Sequence, residues 1–123
     1  MIDPQEKFVL SEVAEVSQGQ LGGETPFRGV FTVKIEPDLP YFDGHFPDNP
    51  VLPAIAFCDL AEMAAKKMGV LEGIQNYRVA KFMAPVLPNQ TVQIEVESVS
   101  ARPELRFSFT VEGNLTGELV AGF

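Results

Sequence analysis

The residues that could do acid–base chemistry are one histidine and one acid, fourteen positions apart. His45 is the single histidine, and it lies in residues 41–53, YFDGHFPDNPVLP, where three prolines and a glycine predict a stiff, irregular loop. Asp59 interrupts the apolar stripe of a predicted helix, where an unpaired carboxylate is costly. It is either a structural aspartate, bonded to the backbone or to a partner such as Arg78, or a group that gives or takes a proton. Because a histidine and an acid in apolar surroundings suit proton transfer near pH 7, both are candidate catalytic residues.

The start of the predicted helix offers a place for a carbonyl oxygen. The first N–H groups of a helix have no acceptor within it and lie at the positive end of its dipole. The amide of Ala54, beside the loop of His45, could therefore hold a carbonyl oxygen as it becomes an oxyanion. Phe46, Val51 and Pro53 belong to the same segment, and we expect them to contact substrate.

The helix that positions these groups is predicted from Pro53 to about Met68. This segment has no glycine and no internal proline, and its apolar residues recur at helical spacing. Pro53 suits the first helical turn, and Gly69 suits the C-terminal cap. Because Asp59 is the only charged residue in the first two turns, we expect the helix to be buried.

Alternation of apolar and polar residues with period two predicts an antiparallel sheet with one wet face. The predicted strands, in chain order, cover residues 8–16, 31–35, 77–86, 91–97, 104–112 and 119–123. Turns are expected at residues 18–23, at Pro88-Asn89 and at the hairpin Gly113-Asn114. The expected fold class is α+β, with a curved antiparallel sheet of five or six strands wrapped around one helix.

Length, charge and residue counts narrow the classes of protein to which the chain could belong. The 123 residues fit one domain, residues 1–123, and a net charge of −8 disfavours nucleic-acid binding through a basic face. One histidine and one cysteine, Cys58, make a metal site improbable, there is no phosphate-binding glycine loop, and we expect no cofactor. Without a signal peptide or an apolar span of bilayer length, we expect a cytoplasmic protein that does not bind membranes.

Three blocks of the chain resemble a known enzyme family. Residues 44–65, GHFPDNPVLPAIAFCDLAEMAA, resemble the signature of the FabA/FabZ-type β-hydroxyacyl-acyl-carrier-protein dehydratases, GHFPG-[ND]-PV-[ML]-PG followed by a helix that carries an acid. The family acid follows the histidine by fourteen residues, as Asp59 follows His45, and it is an aspartate in the FabA-type branch. Residues 79–97 resemble the strand and turn after the family helix, and residues 105–123 resemble its final hairpin.

The resemblance implies a hot-dog fold and a dimer, or a higher oligomer, whose sheets join edge to edge. Each active site would take the histidine from one subunit and the acid, with the helix N-terminus, from the other. The implied reaction removes water from a 3-hydroxyacyl thioester of acyl-carrier protein or coenzyme A and gives a trans-2-enoyl thioester. In it, His45 takes the α-proton, Asp59 helps the β-hydroxyl leave, directly or through water, and the amide of Ala54 holds the thioester oxygen.

Two helix positions differ from the family pattern. Ala54 stands where the family has glycine, and Met63 stands where the family often has glutamine. Two alternatives stay open. One is a hot-dog acyl thioesterase, in which Asp59 activates water, although such an enzyme has no need of the His-Phe-Pro loop; the other is a non-catalytic acyl-carrier-binding subunit, which Ala54 and Met63 favour. Docking of an acidic carrier protein would need a basic patch, for which the clustered candidates are Arg78, Lys81, Arg102 and Arg106.

Overall fold

The computed structural model describes residues 8–14, 19, 21–23, 27–42, 50–99 and 102–123. Within these residues the chain forms one α-helix, one short 3₁₀ turn at Pro40–Phe42 and six strands. The helix, α1, spans Ala54–Lys67. The strands are β1 (Ser11–Ala14), β2 (Arg28–Lys34), β3 (Asn76–Phe82), β4 (Thr91–Ser98), β5 (Glu104–Val111) and β6 (Asn114–Gly122). The α+β order predicted from the sequence is confirmed.

All six strands form one antiparallel sheet in the order β1-β2-β4-β5-β6-β3. Alternate residues of β4 and β5 are buried beneath the helix, as the alternation of the sequence predicted: Val92, Ile94, Val96, Leu105, Phe107, Phe109 and Val111. The predicted turn at Pro88-Asn89 is confirmed, with Asn89 at φ 72°. The β5–β6 turn consists of Glu112 and Gly113, with φ of 51° and 81°, one residue earlier than predicted. Two positive φ values suit a tight hairpin, which lets Asn114 begin β6.

Helix α1 ends where the sequence indicated. Gly69 takes φ 87°, its N–H bonds to the Lys66 carbonyl, and the N–H of Val70 bonds to the Ala65 carbonyl. This pair of bonds is the Schellman cap, which glycine accepts without a steric cost. The face of α1 toward the sheet is rich in alanine, so the helix packs closely; its buried residues are Ala56, Phe57, Leu60, Ala61, Ala64 and Ala65.

The two outermost strands differ from their predicted lengths. Of the strand predicted at residues 8–16, the structure places Ser11–Ala14 in β1, and residues 15–18 lie outside the described part. β3 ends at Phe82 rather than at residue 86, because the N–H groups of Met83 and Ala84 turn to the Thr116 carbonyl and Pro85 has no N–H to donate. β3 is therefore a short edge strand beside the start of the helix. None of the helices described is long and apolar enough for a membrane span.

Candidate active site

The structure describes four of the six residues that the sequence singled out. Val51, Pro53, Ala54 and Asp59 lie around the first two turns of α1. His45 and Phe46 fall in residues 43–49, which lie outside the described residues.

The N-terminus of α1 opens onto an apolar cavity of about 340 Å³. Pro53 is the N-cap, in an extended conformation, with no side-chain hydrogen bond to the helix. Ala54 and Ile55 are the first two helical residues, whose N–H groups have no acceptor within a helix. Val51 and Ala54 line the cavity, and Pro53 does not. Val51 and the first helical residue, Ala54, therefore border one cavity.

Hydrogen bonds fix both walls of this cavity. The N–H of Leu52 donates to the Val86 carbonyl at 2.8 Å, which ties the helix entry to the segment after β3. The N–H of Met83 donates at 2.8 Å to the carbonyl of Thr116, whose own buried hydroxyl donates to the Phe109 carbonyl at 3.0 Å. Because backbone atoms hold both walls, the cavity is built into the fold.

The floor of the cavity is an aromatic cluster. The ring of Phe57 packs edge to face against Phe82, with centroids 5.2 Å apart, and against Phe109, with centroids 5.0 Å apart. Gly117 makes room for this ring, since a Cβ at that position would stand 3.3 Å from Phe57 Cε1 and from the Lys81 carbonyl oxygen. The cavity can therefore hold an apolar chain beside a helix amide.

Asp59 is hydrogen-bonded to a tyrosine. The hydroxyl of Tyr41 donates to Asp59 Oδ2 across a sequence separation of 18 residues. Arg78, the partner proposed for a purely structural aspartate, binds Glu104 instead, with its Nε 3.2 Å from both carboxylate oxygens. Ion pairing with Arg78 is thus wrong as an account of Asp59, and a neutral donor occupies the position expected for a cation.

Asp59 and the cavity lie on different sides of the helix. Five residues separate Ala54 from Asp59, which corresponds to about 140° around an α-helix. Asp59 shares its side with Ile55, whose side chain is 60% exposed. The expectation that the whole start of the helix is buried is therefore wrong for this side, because the sheet covers only the opposite one.

Cys58 and Tyr77 meet on the exposed side, next to the acid. Cys58 is half-buried at the margin of the core rather than within it. Partial burial raises the pKa of the Tyr77 phenol, and a hydrogen bond with the Cys58 thiol and the nearby carboxyls of Glu62 and Asp59 raise it further. Tyr77 therefore stays neutral at physiological pH.

The arginines expected to form a basic patch are paired with carboxylates. Arg78 and Arg102 both approach Glu104. Arg106 lies between Glu97 and Glu118, at 3.7 and 3.5 Å. Nearby carboxylates therefore offset the charges of Arg78, Arg102 and Arg106, so these three candidates do not form an uncompensated basic surface.

Tyr41 is the site residue that sequence reasoning missed. Its signal was a phenol among apolar residues: a buried tyrosine usually finds a hydrogen-bond partner for its hydroxyl. No pattern of residues indicated that this partner would be Asp59.

Comparison with known proteins finds similarity to dehydratases over most of the chain. The family model of the ApeI-like proteins, described as ApeI dehydratase, matches residues 24–119. The 3-hydroxyacyl-acyl-carrier-protein dehydratase FabZ of Alkaliphilus metalliredigens is 33% identical over 77% of this chain and 65% of its own length. That of Ehrlichia chaffeensis is 31% identical over 79% of this chain and 72% of its own length. The chain thus spans about two thirds of the curated relatives that it matches.

Two solved structures share the fold. One is the dehydratase heterocomplex ApeI:P from Xenorhabdus doucetiae, with a TM-score of 0.73 and 19% identity over 91% of this chain and 95% of that chain. The other is an uncharacterized protein from Erwinia carotovora subsp. atroseptica, with a TM-score of 0.74 and 23% identity over 93% and 94% of the two chains. The architecture of one helix against an antiparallel sheet is the hot-dog fold.

Proposed function

Because the chain belongs to the ApeI-like family of FabA/FabZ-type dehydratases, we propose that it removes water from a 3-hydroxyacyl thioester to give a trans-2-enoyl thioester. The acyl group would be carried by acyl-carrier protein or coenzyme A, in fatty-acid or polyketide-type synthesis in the cytoplasm. One observation carries the proposal: a carboxyl group held by a neutral hydrogen-bond donor lies on the helix whose first amide opens onto an apolar cavity.

Each residue has a defined part in the proposed reaction. His45 removes the proton from C2, and the electrons of that C–H bond move toward the thioester carbonyl. The N–H of Ala54 stabilises the negative charge on the carbonyl oxygen. As the double bond forms between C2 and C3, the C3–O bond breaks, and Asp59 supplies a proton to the leaving hydroxyl, directly or through water, so that water leaves.

A second copy of the chain would complete the site. In the proposed site, His45 of one subunit faces Asp59 and the helix N-terminus of the other, so one subunit alone does not supply all three groups to the same substrate. The edge strand β3 and its flanks carry exposed apolar side chains, namely Tyr77, Phe82, Met83 and Leu87. Unpaired edges of this kind are sites of strand pairing, and a homodimer joined through β3 would cover them.

A heterodimer is the second candidate assembly. The Xenorhabdus neighbour is a heterocomplex, and the apolar flanks of β3 would suit a related hot-dog chain as well as a second copy. In that case this chain would contribute one half of each site, and the purified chain alone would be monomeric and inactive.

A substrate assay tests the proposal. The purified chain is incubated separately with a 3-hydroxyacyl thioester and with a saturated acyl thioester, and both enoyl product and free thiol are measured. Enoyl product from the first substrate supports the dehydratase. Free thiol from both substrates without enoyl product would identify a thioesterase, and neither product from a dimeric chain would indicate a non-catalytic subunit.

A further inference from the structure

Contacts other than its hydrogen bond to Asp59 hold Tyr41 in place. It belongs to the 3₁₀ turn at Pro40–Phe42, which the N–H of Phe42 closes by donating to the Leu39 carbonyl at 3.0 Å. Leu39 is fully buried and anchors the turn. The Tyr41 ring is 9% exposed and stacks on Phe8, with centroids 5.6 Å apart and planes inclined by 22°. The phenol is therefore fixed by packing rather than by its hydrogen bond.

The hydrogen bond joins two segments of the chain that are distant in sequence. Tyr41 lies in the 3₁₀ turn at Pro40–Phe42, and Asp59 lies in the second turn of α1. The Tyr41 hydroxyl donates to Asp59 Oδ2, so that one carboxylate oxygen is tied to the 3₁₀ turn. A rigid donor on one side and a helix on the other restrict the rotation of the carboxyl group.

We propose that Tyr41 is a positioning residue for Asp59: its hydroxyl orients the carboxyl group for proton transfer to the leaving hydroxyl of the substrate. This role rests on the dehydratase reaction proposed above. Well-oriented catalytic groups avoid the entropic cost of finding the reactive geometry, which is why small displacements lower turnover strongly.

The chemistry of the donor supports a catalytic rather than a purely structural contact. Glu62, three residues further along α1, pairs with a cation, Lys66, at 3.1 Å. A cation beside a carboxyl group favours its ionised form, whereas a phenol is a neutral donor at physiological pH. Tyr41 therefore orients Asp59 without adding a full positive charge, which suits a group that must carry a proton during turnover.

Tyr41→Phe tests the proposal, because it removes the hydroxyl and keeps the ring that stacks on Phe8. We expect kcat for dehydration to fall about 10- to 100-fold, the range for the loss of a hydrogen bond to a charged group, with KM nearly unchanged. Because phenylalanine keeps the ring and its packing, the loss should fall on kcat and leave KM and the melting temperature close to those of the wild type. A merely structural hydroxyl would lower the melting temperature and leave kcat unchanged.

Ser98→Ala is the control. It removes a side-chain hydroxyl at the last residue of β4, whose oxygen accepts a hydrogen bond from the Phe27 N–H at 3.0 Å, and it should keep the wild-type kcat and KM. In an Asp59→Asn background, Tyr41→Phe should not lower kcat further, because the carboxyl group that Tyr41 positions is already absent.

Three results would overturn the role of Tyr41 while leaving the dehydratase reaction intact. The first is a Tyr41→Phe variant whose kcat is unchanged. The second is a fall in kcat from Tyr41→Phe that is equally large in the Asp59→Asn background. The third is a Tyr41→Phe chain that circular dichroism shows to be unfolded. A wild-type chain that makes no enoyl product would instead refute the proposed reaction, and the role of Tyr41 in it.

Discussion

Replacing Asp59 by asparagine separates catalysis from packing. Asparagine has nearly the shape of aspartate, and its side-chain carbonyl can still accept the hydrogen bond from Tyr41. It cannot take up and release a proton at neutral pH. The substitution therefore keeps the described contact and removes only the acid–base function.

The expected magnitudes follow from the partner that the structure shows. Breaking a buried ion pair costs about 3–5 kcal/mol, because a charge is left unpaired. The hydrogen bond that the structure describes comes from a neutral phenol, which keeps an acceptor in the asparagine. Through this contact the free energy of unfolding should therefore change by less than about 1.5 kcal/mol, the upper end for one hydrogen bond. Loss of a general acid should lower the rate of dehydration by about 10²- to 10⁴-fold.

Unfolding by denaturant and enoyl-product formation should be measured on the same preparation of Asp59→Asn. Glu62→Gln is the matched control, since it neutralises another carboxyl on the same helix, bonded to Lys66 at 3.1 Å. It should keep full activity and cost only about 0.2–0.5 kcal/mol, as expected for an exposed i,i+4 pair. An Asp59→Asn variant that is several kcal/mol less stable and still turns over substrate would refute the catalytic assignment.

Three further outcomes are expected. His45→Ala should lower dehydration by at least about 10²-fold while the melting temperature stays close to that of the wild type, and retained turnover would remove His45 from the mechanism. Light scattering should find a dimer at micromolar concentration, because β3 is an unpaired edge; a monomer with full activity would contradict the shared site. Gly117→Ala should destabilise the fold by about 1–3 kcal/mol in a thermal melt, because its Cβ would stand 3.3 Å from both Phe57 Cε1 and the Lys81 carbonyl oxygen; an unchanged melting temperature would show that the ring can move.

The sequence was sufficient for the elements that depend on local patterns. Alternation in β4 and β5 predicted which residues face the helix, because side chains alternate across a strand. Pro53 and Gly69 bounded the helix, since proline suits a first turn and glycine accepts the left-handed cap. The β5–β6 turn was predicted one residue late, because Asn114 is a turn-forming residue that the register of the hairpin places in β6.

The contacts between distant residues were beyond what the sequence could give. Arg106 could be counted as a cation, but its position between Glu97 and Glu118 depends on the register of three strands. In the same way, the bond from Tyr41 to Asp59 depends on where the 3₁₀ turn meets the helix. Neither the carboxylate neighbours of the arginines nor the tyrosine partner of Asp59 could be predicted, because a residue type reveals a charge but not its neighbours.

Helix α1 offers both the acid and the amide of the proposed site within one subunit. The N–H of Ala54 points along the helix axis from its N-terminus, and Asp59 lies in the second turn of the same helix. The proposed base, His45, would come from the other subunit, so a substrate at this helix would meet its base only when two chains assemble. Tyr41 is already bound to Asp59 within the chain, and this contact leaves the acid oriented before any partner arrives. Assembly would then bring the histidine of one subunit close to the acid and the helix N-terminus of the other. The orientation of the acid would already be set by the fold of its own subunit.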